Sequence, residues 1–155
     1  MLTDIHIESA TKQLKNYFGE LFDLTNERIL SATRHGVSNA VNAIIRQTES
    51  NISSSWFDGD STKSFSVPLK EGVRGYLYKG EATGVATIMG DTIHNDGTWR
   101  LRFFEGGTDP RPSKHGKDYG SIRATHFFAN AIKSTDSFEI IKKAVEQEIE
   151  KINNR

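Results

Sequence analysis

The residues with chemistry to offer lie between positions 100 and 126. Glu105, Asp109, His115 and His126 are carboxylates and imidazoles, the groups that ligate divalent metals or move protons in hydrolysis. Converged across the intervening loop, they are the one cluster able to do such work. The plainer reading is that Glu105 anchors the loop through backbone amides or an arginine, while His115 is solvated. The histidines, His6, His35, His94, His115 and His126, contain no His-x-x-x-His or His-x-His pair, so no metal-ligand spacing supports the sharper reading. Gly-x-Ser-x-Gly is absent, which removes the nucleophile elbow of serine hydrolases. Lys79-Gly80-Glu81-Ala82-Thr83-Gly84 lacks the lysine and hydroxyl that complete a phosphate-binding loop. Gly106-Gly107 reads as a turn, because no helix is expected to begin straight after it. These absences leave a metal or hydrolytic role for the cluster as the weaker reading.

Cations gather in the same stretch. Arg100 and Arg102 share one face of the strand expected here, and Arg111, Lys114, Lys117 and Arg123 surround the loop that follows. Such groups can bind phosphate in a salt-sensitive, sequence-blind way. Glu105, Asp109 and Asp118 interleave, so the local excess is small, and a mixed-sign loop suits contact with charged protein surfaces.

What must hold these groups is Thr98 to Arg111. Alternation predicts a strand, with Trp99, Leu101 and Phe103 on one face and Arg100, Arg102 and Phe104 on the other. Glu105 then closes the strand, and Gly106, Gly107, Pro110 and Pro112 end any ladder. The residues from Asp109 to Gly120 are expected to form a mobile, exposed polar loop.

Before this stretch the chain reads as helical, then as strands. Thr3 or Asp4 can cap a helix bearing Ile7, Ala10, Leu14, Tyr17, Phe18, Leu21 and Phe22 at spacings of three and four. Asn26 caps a second stripe of Ile29, Leu30, Val37, Ala40, Val41, Ile44 and Ile45. Gly36 weakens that helix by ~1 kcal/mol relative to alanine, which marks a kink or a close helix contact. Ser50 to Lys63 is a polar loop pinned by Trp56 and Phe57. Strands are expected over Gly72 to Lys79, Gly84 to Gly90 and Thr98 to Glu105, joined by short turns as an antiparallel meander. Phe65 to Leu69 adds a strand that Pro68 confines to an edge. Helical spacing returns over Ile122 to Ile132, and a last helix starts at Asp136 with Glu139 as its capping-box partner. The fold class is α+β, with residues 1–155 as a single domain. N-terminal helices precede a small antiparallel sheet of three to four strands, and C-terminal helices pack on that sheet.

Composition bounds the function. Twenty basic and twenty acidic residues cancel, so no general attraction to nucleic acid or anionic membrane is expected. The absence of cysteine excludes disulfides, thiolate metal sites and a cysteine nucleophile. No apolar run approaches the ~20 residues that span a bilayer, and Met1 to Glu8 lacks the basic and apolar regions of a signal peptide. The protein is expected to be cytosolic where it is made.

The string Arg100-Leu101-Arg102-Phe103-Phe104-Glu105-Gly106-Gly107-Thr108-Asp109-Pro110-Arg111 resembles a motif of the tail-completion, or head–tail joining, proteins of tailed bacteriophages. In that family a Phe-Glu-x-Gly-Thr-like turn is followed by a variable loop and a Phe-Phe/Leu-x-x-Ala segment opening a helix. Phe104, Glu105, Gly107 and Thr108 match the turn, while Phe127, Phe128 and Ala131 match the helix entry. The linker at Ser50 to Ser55, followed by Trp56-Phe57, replaces the family's proline-containing segment. The resemblance implies a structural virion protein at the neck, made in the host cytoplasm, with no catalytic, cofactor-binding or metal-ligating residues. It implies a homo-oligomeric ring, commonly six-fold, that joins the head connector or adaptor to the tail tube, with incidental contact to packaged DNA and no membrane. Arg100, Arg102, Phe104, Glu105, Gly107, Thr108, Arg111, Lys114 and Lys117 are the expected assembly loop and interface. The alternative from the residues alone is a small enzyme or nucleic-acid-binding module using the polar cluster at 100–126.

Overall fold

The computed structural model describes residues 2–53, 56, 67–90, 97–118 and 120–154. The chain is α+β. Its order is β1 (Asp4–Glu8), α1 (Thr11–Phe18), α2 (Glu27–Asn51), β2 (Arg74–Leu77), β3 (Thr83–Thr87), α3 (Leu101–Gly106), α4 (Phe127–Ser134) and α5 (Ser137–Asn153). Single 3-10 turns cover Gly19–Leu21, Leu69–Gly72 and Thr98–Arg100.

The described residues form one three-stranded antiparallel sheet in the order β1-β3-β2. The Tyr78 N–H donates to the Thr83 carbonyl at 2.9 Å to close the β2–β3 hairpin, and the Ile88 N–H donates to the Thr3 carbonyl at 2.8 Å on the other side of β3. This corrects two expectations. The N-terminal segment is a strand, where a helix from Thr3 or Asp4 was expected, and the third strand is β1, where Thr98 to Glu105 was expected. Residues 4–8 alternate Asp, Ile, His, Ile, Glu, so Ile7 is buried while the flanking His6 and Glu8 face out. Period two outweighs the sparse helical stripe there. Ala10 then turns the chain in a left-handed conformation (φ 48°), and α1 begins at Thr11.

The chain divides into two compact units. One comprises residues 6–45, 75–86 and 135–155. Its core is Leu14, Phe22, Ile29, Val37, Val41, Ile44, Val85, Ile141 and Val145. The expected α2 stripe supplies much of it, and Phe22 belongs to this core. Asn26 caps α2 as its sequence predicts, its Oδ1 accepting from the Arg28 N–H at 2.9 Å. The Asp136 side chain accepts from the Glu139 N–H at 3.0 Å and starts α5. Gly36 is a close helix contact: a Cβ there would sit 2.8 Å from the Ile141 Cα. Gly75 and Gly84 do the same for α2 against the sheet, since Cβ atoms on them would meet Val41 at 2.4 and 2.9 Å.

The other unit comprises residues 1–5, 46–74 and 87–134. Leu69, Val73, Ile88, Thr98, Leu101, Phe127, Phe128 and Ala131 are buried in it, as is Glu105. Here the strand expected over Thr98 to Glu105 is a 3-10 turn running into α3. Thr98, Leu101 and Glu105 are the buried positions, spaced three and four apart, so the helical period governs and the alternation of aromatics is coincidental. The helix expected from Ile122 begins at Phe127 instead, after an extended run. The strand expected over Phe65 to Leu69 falls partly outside the described residues, and Leu69–Gly72 is a 3-10 turn after Pro68. Phe57, most of the turn at 91–97 and Tyr119 also lie outside them.

Candidate functional site

Glu105 is 2% exposed and points its carboxylate at the start of α4. Oε2 accepts from the Phe128 N–H at 2.8 Å and Oε1 from the Ala129 N–H at 3.2 Å. These amides belong to the first turn of α4 and have no partner within the helix. A carboxylate there is held by two charge-assisted hydrogen bonds and by the positive end of the helix. Glu105 is therefore a side-chain cap supplied from a distant part of the sequence. The Thr125 N–H and hydroxyl both reach the Phe104 carbonyl, at 2.8 and 2.7 Å, and the His126 N–H reaches the Glu105 carbonyl at 3.3 Å. His126 adopts φ 52°, the sharp bend that turns the chain into α4.

Gly107 ends α3 at φ 75° and ψ 177°, its N–H donating to the Phe103 carbonyl at 2.8 Å. A Cβ there would lie 2.9 Å from both the Ala124 nitrogen and the Ile122 oxygen. Thr108 exchanges two bonds with Ile122: its N–H donates to the Ile122 carbonyl, and its hydroxyl accepts from the Ile122 N–H, both at 2.9 Å. Phe104, Glu105, Gly107 and Thr108 thus lock onto residues 122–129. The corner expected at a strand end exists, but at the end of a helix.

Arg100 and Arg102 part company, because two residues along a helix are about 200° apart. Arg100 is half-buried, its Nε donates to the Gly97 carbonyl at 2.9 Å, and burial holds its guanidinium below the usual value. Arg102 is exposed and lies 5.7 and 5.3 Å from the ring centroids of Trp99 and Phe103. Trp56 stacks on Phe104 at 4.5 Å and meets Phe127 edge-on at 5.3 Å, while the Asn51 amide donates to the Phe127 carbonyl at 3.0 Å. The sequence signals Trp56 only as a lone aromatic in a polar run, and its partners are legible only in three dimensions.

No family model, curated protein or solved structure matches the chain. What the site can do rests on its own geometry.

Among the described residues no three histidines, aspartates or glutamates are grouped to hold a metal ion. Glu105 is committed to two amides, whereas Asp109 and His115 are exposed on the loop and His126 is exposed at the bend. No helix of the described chain is long and apolar enough to cross a membrane. A depression of about 900 Å³, open to solvent, lies at the start of α1 and the β2–β3 turn, with Glu8, Lys12 and Glu81 exposed on its rim. Arg111, Lys114 and Lys117 are all exposed on the loop. Its ends and tip are tied by hydrogen bonds, including the Ser113 N–H to the Lys117 carbonyl at 2.7 Å. The arrangement can present a shaped charged projection from a fixed base.

Proposed function

We propose that this protein is a structural virion component of a tailed bacteriophage that acts in tail completion or head–tail joining at the neck. One observation carries the reading. The residues that resemble the neck-protein motif act together as a mechanical lock, with the buried carboxylate of Glu105 holding the first turn of α4. A carboxylate spent on two backbone amides is a poor general base, and its burial supports a scaffold role for the motif. The lock leaves Arg102 and the 109–120 loop projecting from a braced corner, as an assembly element requires.

A ring needs two unlike faces, since each copy meets its neighbour through heterologous surfaces. Tyr17 on α1, Leu21 in the turn after it and Tyr76 on β2 are more than half exposed, which supplies apolar material for such faces. In this reading the protein is made in the host cytoplasm and ends in the particle. It forms a ring, commonly six-fold, against the head connector or adaptor and the tail tube. It carries no cofactor and performs no catalysis.

The test is genetic and structural. Deleting the gene from the phage that carries it should leave filled heads beside detached tails, and purified virions should contain the protein at the portal–tail junction. Normal infectious particles from the deletion, or virions without the protein, would overturn the proposal.

A further inference from the structure

The turn at Thr98–Arg100 and α3 bury one side and leave the other in view. Thr98, Leu101 and Glu105 are buried, so Trp99, Arg102 and Phe103, spaced three and four apart, form the outer side. Trp99 and Phe103 are half-buried and meet edge to face at 5.5 Å. The exposed Arg102 guanidinium rests beside both rings, which restricts it before any partner arrives. Among the described residues Arg102 makes no ion pair or hydrogen bond, so its donors are left to solvent. Aromatic residues and arginine are the groups that carry binding energy at protein interfaces. One cation on an aromatic bed suits one carboxylate with apolar flanks. A phosphate backbone wants a run of cations, and Gly97 to Phe104 offers only Arg100 besides, whose Nε is spent on the Gly97 carbonyl.

The same chain carries the counterpart. The 3-10 turn at Gly19–Leu21 leaves Glu20 exposed, with Asp23 exposed three residues on. Leu21 beside it is 53% exposed and Tyr17 is 57% exposed. From Asn16 to Asp23 there are two carboxylates and no cation. Lys142 lies 4.8 Å from the Tyr17 ring but is paired with Glu139 at 2.9 Å. Asp23 is engaged by Thr25, whereas Glu20 makes no ion pair or hydrogen bond among the described residues. An unspent carboxylate beside exposed apolar side chains is what the Arg102 surface lacks.

We propose that Arg102 of one copy docks on Glu20 of a second copy, with Trp99 and Phe103 covering Leu21 and Tyr17. The two patches are unlike, so the contact is head-to-tail and leaves one patch of each copy open for the next. Zero formal net charge puts no general repulsion between copies. This contact rests on the self-assembly in the neck reading and names the residues that carry it. Virion location tests that reading separately.

Sedimentation equilibrium of the full chain measures the contact. The wild type should associate as its concentration rises. Arg102→Glu alone and Glu20→Arg alone each set like charges across the contact, and each should weaken association about tenfold or more. Mixing the two variants in equal amounts should restore it, because alternating copies then meet opposite charge on both patches. Lys143→Glu, exposed on α5, makes a like change of charge elsewhere and should leave association as it was. Circular dichroism of each variant keeps loss of contact apart from loss of fold. Association that survives both reversals overturns the proposal, as does a mixture that fails to recover. A wild type that stays monomeric at every concentration also overturns it and leaves the Arg102 surface to a different acidic protein. In each of these cases the neck reading still stands or falls on the virions.

Discussion

The carboxylate of Glu105 and the backbone N–H of Phe128 are 2.8 Å apart across 23 residues of sequence. That bond, with its companion to Ala129, joins the end of α3 to the start of α4 and fixes the base of the loop that begins at Thr108. The corner is an electrostatic cap first, and any assembly role is built on it.

Replacing Glu105 separates structure from catalysis. Glu105→Gln retains one acceptor but loses the charge and sets an amide donor against a donor. It should destabilise by about 2 kcal/mol. A thermal melt should then show Tm falling by roughly 4–8 °C. Glu105→Ala should fall further. An unchanged melting temperature would mean that the cap contributes nothing to folding.

Gly36 tests the approach of α2 to α5. Alanine gains ~1 kcal/mol of helix propensity, but its Cβ would lie 2.8 Å from the Ile141 Cα and 3.1 Å from the Ala144 Cβ. Overpacking of about 1–3 kcal/mol should outweigh the gain. Gly36→Ala should therefore have a lower denaturation midpoint in urea, and a higher one would refute the close contact.

Gly107 and Gly116 have nearly equal φ, 75° and 76°, but different surroundings. At Gly107 a Cβ meets two backbone atoms at 2.9 Å, and at Gly116 it meets nothing within 4 Å. Both alanine variants carry conformational strain of about 1–3 kcal/mol, and Gly107→Ala adds a clash that backbone cannot relieve cheaply. Parallel melts should rank Gly107→Ala well below Gly116→Ala, and equal values would contradict the packing of Ile122 and Ala124 on the glycine.

Asp23 should titrate below its ordinary 3.8, chiefly because the Thr25 hydroxyl donates to its Oδ1 at 2.7 Å, with the Thr25 N–H adding a second bond at 2.9 Å. Because the folded value is depressed, this group favours the folded state above its unfolded pKa. The contribution is lost as pH falls through the lower, folded value. Carboxyl NMR titration should show the depressed value in the wild type and a rise toward 3.8 in Thr25→Ala.

Local pattern was enough for the long elements. In α2 and α5 the apolar stripes run for many turns, and Asn26 and Asp136 announce where each begins, so local propensity and burial agree. The β2–β3 pair was legible for a like reason, as two short runs joined by turn residues. Even the plain reading of Glu105 as an anchor on backbone amides was available from its place beside a glycine turn. The short segments were settled by packing. Residues 98–106 satisfy both an alternating and a helical pattern, and the choice falls to the helix because Thr98, Leu101 and Glu105 must all be buried. Residues 4–8 become a strand because the exposed edge of β3 offers them a ladder. Which amides Glu105 caps, and that Trp56 stacks on Phe104, depend on chain segments brought together from far apart. Short windows carry too little periodicity to choose a period, and no local pattern encodes a partner dozens of residues away.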